Sequence, residues 1–248
     1  MNFDWWQWAF LAMGAFAVGL SKTGIAGLGI MTVAIFANTI PARQASGVVL
    51  PLLIVGDVVA VVLYKQHAIW RHLWRLFPWA MAGVVLGWLA MGRIDDAQTA
   101  RLVGCILAIM IVMHVWRKRR QGGDEQAAAN TPWWFAAAMG MLAGFTTLVA
   151  NAAGPVMIIY LLAMRLPKME FIGTGAVYFL LMNCFKVPFM MQLGLINSGS
   201  VMINLWLAPA VLAGAVFGRM LIPHINQRAF ELLALVLTAA ATVKLLVF

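Results

Sequence analysis

Charged residues are scarce in this sequence of 248 residues, of which only 10% are Asp, Glu, Lys or Arg. A soluble domain usually carries about 25% of such residues. Acidic side chains are the scarcest, with 8 Asp and Glu against 17 Lys and Arg. This shortage excludes an ordinary soluble fold, because too little charge is present to cover a solvated surface.

Cysteine and histidine are also few, with two and four residues respectively. Both cysteines, Cys105 and Cys184, lie in apolar runs, so no disulfide framework is expected. The sequence contains no HExxH motif, no acidic pair within one apolar segment and no ATP-binding motif. We therefore expect no metal, no cofactor and no intramembrane enzyme activity, and primary pumping would need a partner protein.

Apolar runs make up most of the chain, which is 64% hydrophobic. Because a helix of about 20 residues crosses a bilayer core, they predict an all-α polytopic membrane protein, in a lipid bilayer, with about 8–10 membrane segments. The net charge of +9 is explained by Lys and Arg in cytoplasmic loops. No basic patch is interleaved with exposed aromatic residues, so no nucleic-acid partner is expected. The segments are 5–20, 27–38, 46–64, 72–92, 97–116, 133–150, 153–165, 171–192, 200–222 and 228–247.

The chain divides near its middle at RKRRQGGDEQAAANTP, which combines a charge run, a glycine pair and a proline. This stretch predicts a cytoplasmic linker at 117–132. A first transmembrane repeat would then cover residues 1–116, and a second would cover residues 133–248.

The two halves resemble each other in sequence. A shift of 126 positions aligns Gly47 with Gly173 and Asp57 with Asn183, and after a five-residue insertion AGVVLG at 82–87 aligns with AGAVFG at 213–218. Single matches of glycine or alanine mean little, but the order is preserved with one insertion. We interpret the pattern as an internal duplication.

Charge indicates how the halves are oriented. The loop predicted at 65–75 carries three basic residues, whereas its counterpart at 192–199 carries none. Conversely, the first short loop carries Arg43 alone, whereas the second half has Arg165 and Lys168. Inverted repeats place all the basic loops on the cytoplasmic side. Parallel repeats, the alternative, leave the charge difference between corresponding loops unexplained.

Each half begins with a broken pair of helices. GLSKTGIAGLG at 19–29 and FTTLVANAAGP at 145–155 each precede a short apolar segment. A half-helix that starts at membrane depth directs free N–H groups and a partial positive charge into the protein, which suits an anion. The candidate substrate-binding residues in the two breaks are Ser21, Lys22, Thr23, Gly27, Gly29, Thr146, Thr147, Asn151 and Gly154. Their hydroxyls can instead bond to the helix backbone.

Further site candidates are the polar or charged residues Asp57, Asn183 and Lys186 inside apolar runs, together with Lys22 beside one. A lysine at membrane depth usually faces a cavity or a partner, although Lys22 could also reach an interface with its long stem. Lys186 follows Asn183 by three residues, on the same helical face. Asp57 is either a structural partner of a lysine or a proton-coupling carboxylate.

GLSKTGIAGLGIMTVAIF, GFTTLVANAAGPVMIIY, MNCFKVPF and the repeated AGxxxG segments resemble the sulfite exporter TauE/SafE family, also called the sulfonate-uptake permease superfamily. The resemblance spans nearly the whole chain. It implies a multi-pass secondary carrier of the bacterial inner membrane, with a duplicated fold of about eight helices. It also implies a small anionic substrate such as sulfite, an organosulfonate or a related carboxylate. Many members carry three or four consecutive glycines in the first break, and here the run is thinned to GIAGLG, so the substrate can differ from sulfite.

The leading hypothesis is therefore a secondary anion transporter that works by alternating access. The alternative is a non-transport structural or assembly protein of the membrane, which would not need paired helix breaks with a lysine. The AGxxxG segments permit close helix packing, either within one protomer or between two, so they leave a homodimer open.

Overall fold

A computed structural model describes residues 4–25, 28–29, 32, 35–36, 39–40, 42–90, 101, 105, 108–109, 111–112 and 133–247. Within those ranges the chain forms helices and no strand. Eight α-helices have defined bounds: α1 (Trp5–Thr23), α2 (Ala42–Tyr64), α3 (Trp70–Ala90), α4 (Trp133–Ala150), α5 (Ala153–Ala163), α6 (Lys168–Gln192), α7 (Ser198–Leu221) and α8 (Gln227–Val247). Short 3-10 turns extend α2 over Lys65–His67 and α7 over Ile222–His224.

Among the residues that the structure describes, four helical stretches are long and apolar enough to cross a membrane: Ala45–His67, Trp70–Ala90, Lys168–Gln192 and Gly199–His224. Two shorter apolar helices, Trp133–Val149 and Ala153–Ala163, lie between them in the chain. The prediction of an all-α multi-pass membrane protein is confirmed.

The observed helix ends differ from the predicted segment ends at two places. The first helix continues to Thr23 rather than ending at residue 20, so Lys22 lies in its last turn. The loop predicted at 65–75 was too long, because α3 begins at Trp70 and includes Arg71 and Arg75. The predicted linker 117–132 lies outside the described residues, as do most positions of segments 27–38 and 97–116.

The chain forms two compact units, and each takes helices from both halves of the sequence. The first unit comprises residues 1–68 and 172–226, with α1, α2, most of α6, and α7. The second comprises residues 69–171 and 227–248, with α3, α4, α5 and α8. The boundaries of the repeats themselves stay a prediction.

Glycine contacts bring α1 against α7 in the first unit. A Cβ atom on Gly19 would lie 1.9 Å from the carbonyl oxygen of Val211, and one on Gly214 would lie 2.0 Å from that of Phe16. The two backbones are therefore in direct contact, which small residues permit between membrane helices. Leu11 of α1 packs beside this seam in the same hydrophobic core as Val211.

The second unit repeats this arrangement with α3 and α4. A Cβ atom on Gly144 would lie 1.9 Å from the carbonyl oxygen of Ala80, and one on Gly83 would lie 2.1 Å from that of Met141. Ala80 and Gly83 align with Val211 and Gly214 at the shift of 131 positions. Each unit thus packs the first helix of one half against the helix that carries AGxxxG in the other half. Because these glycine faces are occupied within the protomer, they do not supply a dimer surface.

Helices α2 and α6 occupy equivalent places in the two halves and run in opposite directions in the first unit. Gly47 near the start of α2 faces Leu195 just past the end of α6, and Gly173 near the start of α6 faces Tyr64 at the end of α2. Between these two contacts the side chains of Asp57 and Asn183 meet. Gly47 and Gly173 align at the shift of 126 positions. Each helix therefore places the same aligned glycine, near its start, against the end of the other helix.

Candidate functional site

Lys22 lies in the last turn of α1, where the helix stops inside the protein. The N–H groups of Gly24 and Ile25 both donate to the carbonyl oxygen of Leu20, at 3.0 and 3.1 Å. Gly24 packs its backbone against Gly218 of α7. The helix therefore ends at Thr23, where the carbonyl oxygen of Leu20 accepts two N–H groups and a glycine permits the close approach of α7.

Two side chains fix the end of α1 to its neighbours. The buried hydroxyl of Thr23 donates to the carbonyl oxygens of Ala215 (2.7 Å) and Gly19 (3.1 Å). The hydroxyl of Tyr64 on α2 donates to the carbonyl oxygen of Thr23, at 3.0 Å. These bonds to α7 and α2 hold the backbone on which Lys22 stands.

The ammonium group of Lys22 forms an ion pair with Asp57. Its Nζ atom lies 2.8 Å from Oδ1 of Asp57, whose side chain is fully buried, while that of Lys22 is 11% exposed. Nδ2 of Asn183 on α6 donates to Oδ2 of the same carboxylate, at 2.6 Å. One carboxylate therefore links α1, α2 and α6 within the first unit.

The stem of Lys22 crosses α2 at a glycine and ends over an aromatic ring. Its Cγ atom would lie 3.1 Å from a Cβ on Gly56, so the missing side chain makes room for the lysine. Its Nζ atom lies 4.3 Å from the ring centroid of Phe179 on α6, within the range of a cation–π contact. Gly56 and Phe179 thus direct the ammonium group toward Asp57.

Lys186 is the second buried lysine of this cluster. It lies on α6 three residues after Asn183, and its side chain is fully buried. It interacts electrostatically with both Lys22 and Asp57. Pro188 lies inside the same helix and supplies no N–H to the turn that contains Lys186.

The second helix break lies in the second unit, between α4 and α5. Asn151 adopts a left-handed backbone conformation with φ of 50°, which ends α4 before α5 starts at Ala153. The N–H groups of Asn151 and Ala152 donate to the carbonyl oxygens of Thr147 and Thr146, both at 3.1 Å. The break predicted at 145–155 is therefore present.

The structure brings four of the predicted residues together in the first unit, namely Lys22, Asp57, Asn183 and Lys186. Hydroxyl groups in both breaks are already engaged with backbone. Ser21 donates to Val18 (2.9 Å), and Thr146 donates to Leu142 (2.8 Å), so they contact an anion as donors only after rotation. Thr147, Asn151 and Gly154 belong to the second unit. Gly29 lies near Ser21, and Gly27 lies outside the described residues.

Sequence reasoning missed Gly56, Tyr64 and Phe179. Each is an ordinary residue for an apolar helix, so its type gives no signal. Among the residues that the structure describes, no group of three His, Cys, Asp or Glu side chains is arranged to hold a metal ion.

Comparison with known proteins gives one result. No curated protein and no solved structure matches the chain. The sequence model of one family, described as "Sulfite exporter TauE/SafE", matches residues 11–245. That range includes both helix breaks and all four residues of the lysine–carboxylate cluster. The chain therefore belongs to the sulfite exporter TauE/SafE family, a family of membrane transporters.

Proposed function

We propose that this chain is a secondary transporter that moves a small anion across the bacterial inner membrane by alternating access, with the linker 117–132 in the cytoplasm. The observation that carries the proposal is the buried cluster of Lys22, Asp57, Asn183 and Lys186 beside the end of α1. Ionisable groups inside membrane segments are costly and usually mark the path of a substrate or ion.

The charge of the cluster favours an anion as the substrate. With both lysines protonated and Asp57 ionised, two positive charges stand beside one negative charge. A surplus positive charge in a buried site is unfavourable until a counter-charge arrives. A small anion supplies it, and the ammonium groups can donate hydrogen bonds to its oxygen atoms.

The family and this geometry together support small oxygen-rich anions as the substrate class. Sulfite, organosulfonates and small carboxylates all present two or three oxygen atoms that share a negative charge, which matches ammonium donors from two helices. The first break has fewer consecutive glycines than many family members have, so the choice among these anions has to be measured.

Alternating access is supported by the reciprocal packing of α2 and α6, which are equivalent helices that run in opposite directions. Inverted repeats around a site near the membrane midplane are the usual architecture of such carriers. We assign proton coupling to Asp57. Protonation of its carboxyl would release Lys22 to the anion, while Lys186 on α6 interacts electrostatically with both groups. Unchanged pH dependence of transport in Asp57→Asn would refute this role.

The test is transport by purified protein in liposomes, recorded as currents on a solid-supported membrane. The panel is sulfite, thiosulfate, taurine, sulfoacetate and small carboxylates, with and without a pH gradient. We expect a current for one anion class that is lost in Lys22→Ala and kept in Lys65→Ala, a matched control at an exposed lysine. A current that survives Lys22→Ala would place the anion site elsewhere. If folded protein gave neither a transport current nor tracer flux for any anion of the panel, a structural or assembly role would be favoured.

A further inference from the structure

Asp57 and Asn183 are the same position in the two halves of the sequence, and they are hydrogen-bonded to each other. The separation of 126 residues between them equals the shift that aligns Gly47 with Gly173. In a duplicated protein, equivalent residues can touch only close to the axis that relates the two copies. The hydrogen bond between Asp57 and Asn183 therefore marks that axis within the first unit.

Two lysines belong to this cluster, one from each half of the chain. Lys22 of the first half contacts the carboxylate directly, at 2.8 Å. Lys186 of the second half lies one helical turn after Asn183, so its side chain projects from the same face of α6. At the shift of 126 positions, Lys22 is equivalent to Leu148 and Lys186 is equivalent to Ala60. Neither of these equivalent residues carries a charge.

We propose that the carboxylate at this axis is the common counter-ion of Lys22 and Lys186, and that it can perform this role from residue 183 as well as from residue 57. In the proposed transporter, on which this part of the inference rests, the anion and the carboxylate would then compete for two ammonium groups. As long as it is ionised, the carboxylate would stay with one lysine while the anion binds the other, and its protonation would free both lysines.

The test moves the carboxylate from one half to the other. We would measure thermal unfolding of purified Asp57→Asn, Asn183→Asp and the exchange variant D57N/N183D by intrinsic tryptophan fluorescence. Loss of a buried counter-ion in D57N should lower the melting temperature by about 10 °C. In the exchange variant at least half of this loss should be recovered. D57N/N197D is the matched control, since it has the same composition and places the carboxylate at an exposed helix cap; it should melt like D57N.

Double-mutant cycles show which lysines the carboxylate serves. Asp57→Asn should couple to Lys22→Met and also to Lys186→Met, so that each double variant melts higher than the sum of the two single shifts predicts. Coupling to Lys22 alone, or an exchange variant that melts like D57N, would overturn the proposal. If D57N cannot be purified as a folded protein, recovery of a monodisperse protein in D57N/N183D but not in D57N/N197D supports it. Failure of both double variants overturns it.

These measurements need no substrate, so they separate this inference from the proposed function. Transport of sulfite in liposomes then tests whether the moved carboxylate restores activity as well as stability. The exchange variant should transport sulfite within about tenfold of the unmodified protein, while D57N/N197D should be inactive. If the unmodified protein transports no anion of the panel, the transport function fails, and the melting temperatures still decide whether the carboxylate is shared.

Discussion

The seam between α1 and α7 leads to a quantitative prediction for Gly19→Ala. The added Cβ would lie 1.9 Å from the carbonyl oxygen of Val211, whereas real Cβ contacts essentially never fall under 3.0 Å. The atom it meets is backbone, so no side-chain rotation relieves the clash, and the two helices must separate by roughly 1 Å locally. Gly214 and Gly218 lie along the same seam and would lose part of their backbone contact with α1.

We expect Gly19→Ala to destabilise the protein by about 2–3 kcal/mol, the upper part of the range of about 1–3 kcal/mol for overpacking, because the clash is with backbone. For a chain of this size that loss lowers the melting temperature by about 4–12 °C. The assay is thermal unfolding of purified protein in detergent, followed by tryptophan fluorescence. Gly144→Ala in the second unit should give a similar loss, because its Cβ would also lie 1.9 Å from a carbonyl oxygen.

Gly154→Ala is the matched control for this prediction. Gly154 lies in the first turn of α5, its φ is not positive, and nothing lies within 4 Å of the added Cβ. Alanine should therefore be neutral or stabilising by up to about 1 kcal/mol. If Gly19→Ala melted within 2 °C of Gly154→Ala, the backbones of α1 and α7 would not be in close contact at Gly19.

Three further substitutions test the end of α1 and the second break. Tyr64→Phe removes the hydrogen bond to the carbonyl oxygen of Thr23 and should cost about 1 kcal/mol in chemical denaturation; an unchanged midpoint would mean that another group satisfies this carbonyl. Asn151→Ala should be less stable than Asn151→Gly by about 1 kcal/mol, because φ is 50° there, and equal stability would contradict the left-handed conformation. Phe179→Leu should cost about 1 kcal/mol through the lost contact with Lys22, while Phe179→Tyr keeps it; equal melting of both variants would remove the cation–π contact from the argument.

Composition and repeats were sufficient to predict the helical membrane fold and the break between α4 and α5, whereas most of the segment after the first break lies outside the described residues. The polar residues Lys22, Asp57, Asn183 and Lys186 could be found because each is costly inside an apolar segment, so a residue of that type is itself a signal. The equivalence of Asp57 and Asn183 also followed from the sequence, through the shift of 126 positions.

The partners of these residues could not be predicted. Phe179 and Gly56 are common residue types in membrane helices, and their role depends on the angle at which α1 crosses α2 and α6. The sequence also does not show that each unit takes helices from both halves of the chain. The glycines at 82–87 and 213–218 predict a close helix contact, but they do not identify the second helix of that contact. Packing geometry, rather than residue type, decides both.

The hydrogen bond between Asp57 and Asn183 has an evolutionary consequence. In an assembly of two identical chains, a residue on the two-fold axis meets a copy of itself, so a carboxylate there would face a second carboxylate and the pair would have to share a proton. Joining the two copies in one gene removes this constraint, since one copy can keep the acid while the other becomes the amide that donates to it. If the two halves arose by duplication, as the sequence predicts, the Asp–Asn pair is a difference between the copies that two identical chains could not encode.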